Sequence, residues 1–104
     1  MGTKNTARHF RVLLRGSNFL LDLDGHLRRL GFLVTRFVIA RNAVEAGSVA
    51  VGLIRTDGEL VAMVRNSADD SPMLFADEIE EMPRVSPNES LTGYTFFPVV
   101  PDEQ

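Results

Sequence analysis

Alternation of apolar and polar positions dominates the first forty residues. In residues 9–15, Phe10, Val12 and Leu14 fall on one side and Arg11, Leu13 and Arg15 on the other, the two-residue period of a strand. Gly16, Ser17 and Asn18 follow and predict a turn. Residues 19–23 form a second short apolar run. The Asp24-Gly25 pair after it is a strong hairpin signal, because both central positions of a type I′ turn need positive φ. A third strand is expected from His26 to about Ala40, with a bulge near Gly31, since isolated strand glycines often mark one. Its second half, residues 32–40, is rich in β-branched and aromatic side chains, which suit a pleated surface.

The period then changes. Asn42 and Glu45 have the spacing of a capping box, so a helix is predicted from about Ala43. Ala46, Val49, Ala50 and Leu53 recur at three- and four-residue steps and mark an apolar stripe to about Arg55. Thr56 and Glu59 repeat the box spacing. They predict a second short helix carrying Leu60, Val61, Met63 and Val64 and ending near Asn66, with Asp57-Gly58 breaking the rod between the two. Residues 67–72 read as a polar loop. Strand character resumes from Met73 to Met82, with Met73, Phe75 and Ile79 on one face and Glu78 and Glu80 on the other. Residues 83–93 read as a loop, and Tyr94 to Phe97 as a last short strand before Pro98 and Pro101. This order implies an α+β fold. A largely antiparallel sheet of four or five strands would carry one or two helices packed on one face, in the ferredoxin-like or split βαβ-type neighbourhood. Residues 38–46 resemble the strand, cap and amphipathic helix of many small bacterial domains, a likeness too generic to name a family.

Composition narrows the class. Of the 104 residues 44% are hydrophobic and 24% charged, near the globular average, which excludes a disordered tail, a collagen-like repeat or a disulfide scaffold. Residues 1–104 are expected to form a single domain with ends fraying at about 1–7 and 99–104. The absence of Cys removes thiol nucleophiles, thiolate metal sites and disulfides. No apolar run approaches the ~18–20 residues of a membrane span, and the N-terminus lacks the apolar stretch of a signal peptide. A cytoplasmic protein without a membrane partner is expected.

The net charge of −3 conceals a division of the chain. Residues 1–55 carry nine basic groups against three acids, for +6, and residues 56–104 carry two against eleven, for −9. All the cations but Lys4 are Arg, the side chain suited to bidentate pairing with carboxylate or phosphate. The halves are expected to neutralise one another, with the arginines meeting Asp77, Glu78, Glu80 and Glu81, within the chain or across a dimer. In the rival reading Arg11, Arg15, Arg28, Arg29 and Arg36 gather on one sheet face as a binding platform for RNA or another anion. These five are the candidate binding residues.

Catalytic motifs are sparse. Residues 19–27, Phe-Leu-Leu-Asp-Leu-Asp-Gly-His-Leu, resemble the first motif of haloacid-dehalogenase-type phosphatases, an apolar strand followed by Asp-x-Asp-Gly-Thr. The resemblance implies a nucleophile at Asp22, a general acid/base at Asp24 and a carboxylate-held magnesium ion. It covers nine residues, and His26 stands where that family has Thr. The segment after Gly25 also reads as a strand where the family has a helix, so the Asp-Gly hairpin is the preferred reading. An EF-hand register fails, because it puts Leu20 and Gly31 at the first and last ligand positions. Asp22, Asp24, His26 and His9 are too few and too splayed for a specific metal centre. There is no Gly-x-Ser-x-Gly elbow, no Gly-x-Gly-x-x-Gly and no Walker loop. No cofactor or metal is predicted.

One helical layer covers one sheet face, leaving Leu13, Leu20, Val34, Val38, Phe96, Phe97, Val99 and Val100 as apolar content in excess of a solvated face. A second copy would cover it. The functional expectation is a non-enzymatic homodimeric interaction or small-ligand-binding domain. An RNA- or anion-binding module on the Arg-rich face is the alternative, and phosphotransfer through Asp22 and Asp24 is the third reading.

Overall fold

The computed structural model describes residues 7–83 and 93–98. Two long strands, β1 (Arg8–Leu23) and β2 (His26–Ala40), are joined at Asp24-Gly25. Both turn residues have positive φ, 56° and 86°, as a type I′ turn requires, and Leu23 pairs with His26 across it. Helices α1 (Ala43–Arg55) and α2 (Gly58–Met63) follow, then strands β3 (Met73–Met82) and β4 (Thr95–Pro98). The sheet order is β3-β1-β2-β4, with every pairing antiparallel. Strands β2 and β3 therefore run the same way with β1 between them, and the helices connect them. This is a split βαβ unit, extended by β4 beyond β2. The fold is α+β, a four-stranded antiparallel sheet with two helices.

Gly16, Ser17 and Asn18 do not turn the chain. Gly16 pairs with Phe32 and Phe19 with Leu30, so Ser17 and Asn18 together face Gly31 as a bulge inside one continuous strand, with Asn18 at φ 62°. The two strands expected on either side are one, and the bulge expected near Gly31 sits on the strand facing it. A second irregularity reverses the alternation of β3. Leu13 faces Glu78 and Leu14 faces Ala76, which leaves Asp77 as the extra residue. Phe75 consequently shares a face with Glu78 and Glu80, whereas Ile79 joins Leu74 and Ala76 against the core. The expected grouping of Phe75 with Ile79 is corrected by that one residue.

Helix α1 starts at the expected residue. The Glu45 amide donates to Asn42 Oδ1 at 2.8 Å, and Glu45 Oε1 accepts from the Arg41 amide at 2.6 Å, one residue before the amide that a capping box uses. Its buried face is Ala46, Gly47, Ala50 and Ile54, while Val49 and Leu53 stay exposed, so the predicted stripe is rotated. Small residues bring the helix close to the sheet: a Cβ on Gly47 would lie 3.1 Å from Ile79 Cδ1. Helix α2 is capped by Asp57, which accepts from the Glu59 amide at 3.1 Å, and not by Thr56, whose hydroxyl donates to the Gly52 carbonyl at 2.9 Å and closes α1. It ends at Met63, and Val64 bridges to Leu21.

The core lies between the helices and one sheet face. It is built on Phe10, Val12, Leu14, Phe19 and Leu21 of β1, Leu30, Phe32, Val34 and Val38 of β2, and Ala46, Ala50, Ile54 and Leu60 of the helices. Burying a side chain such as Phe32 or Leu14 stabilises the fold by about 1.5–3 kcal/mol relative to leaving it in water. Among the described residues, no helix is long and apolar enough to cross a membrane. The expected fraying at 1–7 and 99–104 falls, apart from Ala7, outside the described residues.

Candidate functional site

The Asp-x-Asp-Gly segment folds as the tip of the hairpin. Asp22 Oδ1 accepts from the Gly25 amide at 2.8 Å and Asp22 Oδ2 lies 3.4 Å from the Arg65 guanidinium, so this carboxylate shapes the turn and ties it to the chain after α2. Asp24 is exposed at the turn itself, and β2 follows where the phosphatase motif would place a helix. Among the described residues no three His, Asp or Glu side chains converge as metal ligands.

The five candidate arginines divide between the two faces of the sheet. Arg11 and Arg15 lie on the face opposite the helices, where Arg11 Nη2 is 2.9 Å from Glu80 Oε1 and Arg15 Nε is 2.9 Å from Asp77 Oδ2. Arg15 also lies over the Phe75 ring, 4.5 Å from its centre, a cation–π contact. Arg29 is on that face beside the bulge and pairs with Asp70 at 3.0 Å. Arg28 and Arg36 fall in register with Leu21 and Val12, the helix side. Arg36 approaches Asp57 at 4.0 Å and the Tyr94 ring at 5.5 Å, and Arg28 is exposed. The structure thus does not assemble all five into one platform. The acids that meet Arg8, Arg11 and Arg15 are Glu81, Glu80 and Asp77 of β3, three of the four that the charge division had pointed to.

Two polar clusters were not legible in advance. At the bulge, Asn66 takes over the pairing role of a strand: its Oδ1 accepts from the Leu20 amide at 2.9 Å, and its Nδ2 donates to the carbonyls of Asn18 and Asp70 at 2.9 and 2.8 Å. Asn18 Nδ2 donates to Asp70 Oδ1 at 2.9 Å, and Arg29 donates to both Asn18 Oδ1 and Asp70. The bonds from Asn18, then Arg29, hold the Asp70 carboxyl below its usual range. On the β4 side of the core the Tyr94 hydroxyl donates to Asp57 Oδ2. That bond holds the Asp57 carboxyl low, while burial and the same bond push the Tyr94 phenol up. Both clusters tie connecting segments to the sheet. The hints were an Asn at the left-handed position of a bulge and a Tyr just ahead of the last strand, both of which also occur for other reasons.

What remains is the broad face of the sheet that no described residue covers. Leu27 and Ile39 of β2 are 60% and 59% exposed, Met73 of β3 is 52% exposed and Phe97 of β4 is 39% exposed. Leu13, Leu20, Leu33, Phe37 and Phe75 lie half-buried on the same face. Its apolar side chains come from all four strands, and its charged pairs, Arg11 and Arg15 with Glu80 and Asp77, lie along β1 and β3. Of the residues expected here, Leu13, Leu20 and Phe97 are present. Val34 and Val38 are instead buried on the helix side, Phe96 packs there against Phe32 and Tyr94, and Val99 and Val100 lie outside the described residues. No family model, no curated protein and no solved structure matches the chain.

Proposed function

We propose that the protein is a non-enzymatic interaction module that pairs with a second copy of itself through the helix-free face of its sheet. The observation that carries this reading is the exposure of Leu27, Ile39, Met73 and Phe97 on one face, with five further half-buried apolar side chains among them. Large contiguous apolar surface is uncommon on monomers and marks contact sites. A second copy suits the face better than a charged partner, because Arg11, Arg15 and Arg29 on it already hold acids of the same chain. A nucleic acid would have to displace those carboxylates, whereas an identical face brings a matching strip of alternating charge and apolar side chains to lie on its own.

Sedimentation velocity over a concentration series tests this. The wild type is expected to sediment as a dimer at micromolar concentration. Ile39→Glu, at an exposed position outside the core, is expected to shift the equilibrium to monomer without changing the circular dichroism spectrum. A wild type that stays monomeric throughout the series would overturn the reading. A mobility shift of single-stranded RNA at low salt would favour the Arg-based alternative.

A further inference from the structure

On the opposite side of the molecule from that face, a half-open cleft of about 460 Å³ lies between the end of α1, helix α2 and the start of β3. Its size falls within the roughly 300–1,000 Å³ of small-molecule sites. Phe19, Ile54 and Leu60 form its buried floor and Val61 part of its exposed wall. Arg55 is the sole charged residue in the lining, and no acid accompanies it. Of the two described arginines without an ion pair, Arg28 and Arg55, only Arg55 lines the cleft. Arg8, Arg11, Arg15, Arg29, Arg36, Arg41 and Arg65 each face a carboxylate, whereas the Arg55 guanidinium has no ion pair among the described residues. Ser71 also lines it.

From this combination we infer that the cleft binds a small amphipathic carboxylate, with an apolar chain or ring against Phe19, Ile54 and Leu60 and the carboxylate on Arg55. An uncharged apolar molecule would leave the guanidinium unused. A polyanion would find one cation and an apolar floor that returns nothing for its desolvation. One apolar body with one anionic end satisfies both parts of the site, since a guanidinium fork matches a carboxylate edge in charge and geometry. Position at the C-terminal turn of α1 also favours a cation for the sake of the helix dipole, a structural role that involves no ligand. The experiment therefore has to separate binding from stability.

Amide chemical shifts of the full chain can be followed during titration with octanoate, and in parallel with 1-octanol and with acetate. Octanoate is expected to shift the amides of Ile54, Leu60 and Val61 saturably, octanol to bind about tenfold more weakly, and acetate to leave them unmoved. Arg55→Gln is expected to weaken octanoate about tenfold while leaving octanol binding unchanged, and Arg55→Lys to recover part of the octanoate loss. Val61→Asp, at a half-exposed wall position, places a negative charge at the site and is expected to repel octanoate selectively. Equal affinity for octanoate and octanol, insensitive to Arg55→Gln, would overturn the inference, and so would the absence of a saturable shift. Because the cleft and the helix-free face are on opposite sides of the sheet, failure here leaves self-association to be judged on its own.

Discussion

Asn66 makes three hydrogen bonds, accepting one and donating two: two go to β1 backbone that has lost its strand partner and the third to the Asp70 carbonyl in the loop before β3. Strand β3 pairs with β1 only as far as Ser17, so beyond the bulge the edge of β1 would face water or an unpaired loop. Asn66 closes that gap together with the Arg65 amide, which donates to the Leu20 carbonyl at 2.7 Å. Removing the amide leaves partly buried donors and acceptors without partners, an error that costs more than the bonds themselves contribute. Asn66→Ala is expected to lower unfolding free energy by about 1–3 kcal/mol in urea denaturation. Asn66→Asp is expected to be at least as damaging, because it places carboxylate oxygens against the two carbonyls that Nδ2 now serves. A loss comparable to that of an exposed substitution such as Ser67→Ala would show the cluster to be incidental.

The elements that were legible are those whose signal is local. Asp24-Gly25 needs positive φ at both positions wherever the flanking strands lie, and Asn42 with Glu45 satisfies helix amides within the same turn. Those that were not legible depend on a partner. Gly16, Ser17 and Asn18 suit a turn and a bulge equally, and only the register with Leu30 and Phe32 decides between them. The buried face of α1 turned on the closeness of β3, which selects Gly47 over the larger Val49. The same limit applied to the site: the arginines and three of their β3 acids were recognisable, but which face each arginine took required the pairing of the strands. Glycines at the bulge carry a further consequence. A Cβ on Gly16 would stand 2.3 Å from the Phe32 ring, which is fully buried and hemmed in by Phe19, Tyr94 and Phe96. A Cβ on Gly31 would stand 2.5 Å from the Phe97 ring, which is exposed on a four-residue strand and has somewhere to go, and 3.1 Å from the Gly16 carbonyl oxygen, a milder contact. Gly16→Ala is therefore expected to destabilise the whole fold by about 1–3 kcal/mol. Gly31→Ala is expected mainly to loosen β4, seen as faster hydrogen exchange at Phe96 and Phe97 with a smaller change in the urea midpoint.

Across the whole molecule, the basic and acidic halves of the chain are laced together. Arg8, Arg11, Arg15, Arg29 and Arg36 from the first half meet Glu81, Glu80, Asp77, Asp70 and Asp57 from the second, and Asp22 meets Arg65 in the opposite sense. Most of these pairs are partly exposed, where one pair is worth about 0–1 kcal/mol, so their value lies in seating β3 and the connecting loops on the hairpin more than in summed energy. Acid should undo them in a defined direction. Asp57 and Asp70 are held below the ordinary carboxylate range, Asp57 chiefly by the Tyr94 hydroxyl and Asp70 chiefly by Asn18. A carboxyl whose folded value is depressed binds protons more weakly folded than unfolded. It contributes its full stabilisation above its unfolded value, and that stabilisation disappears as pH falls through the folded value. The urea midpoint is thus expected to hold through neutral pH and to fall on acidification below about pH 4, where unfolded carboxyls take up protons. In Asp57→Asn one oxygen remains to cap the Glu59 amide, but the amide NH2 that replaces the other cannot accept from the Tyr94 hydroxyl, and this titration is gone. The variant should be less stable at neutral pH and show a shallower decline in acid. An acid slope as steep as that of the wild type would place the sensitivity in Asp70 and the β3 carboxylates, and reduce the Asp57, Tyr94 and Arg36 contact to a packing role.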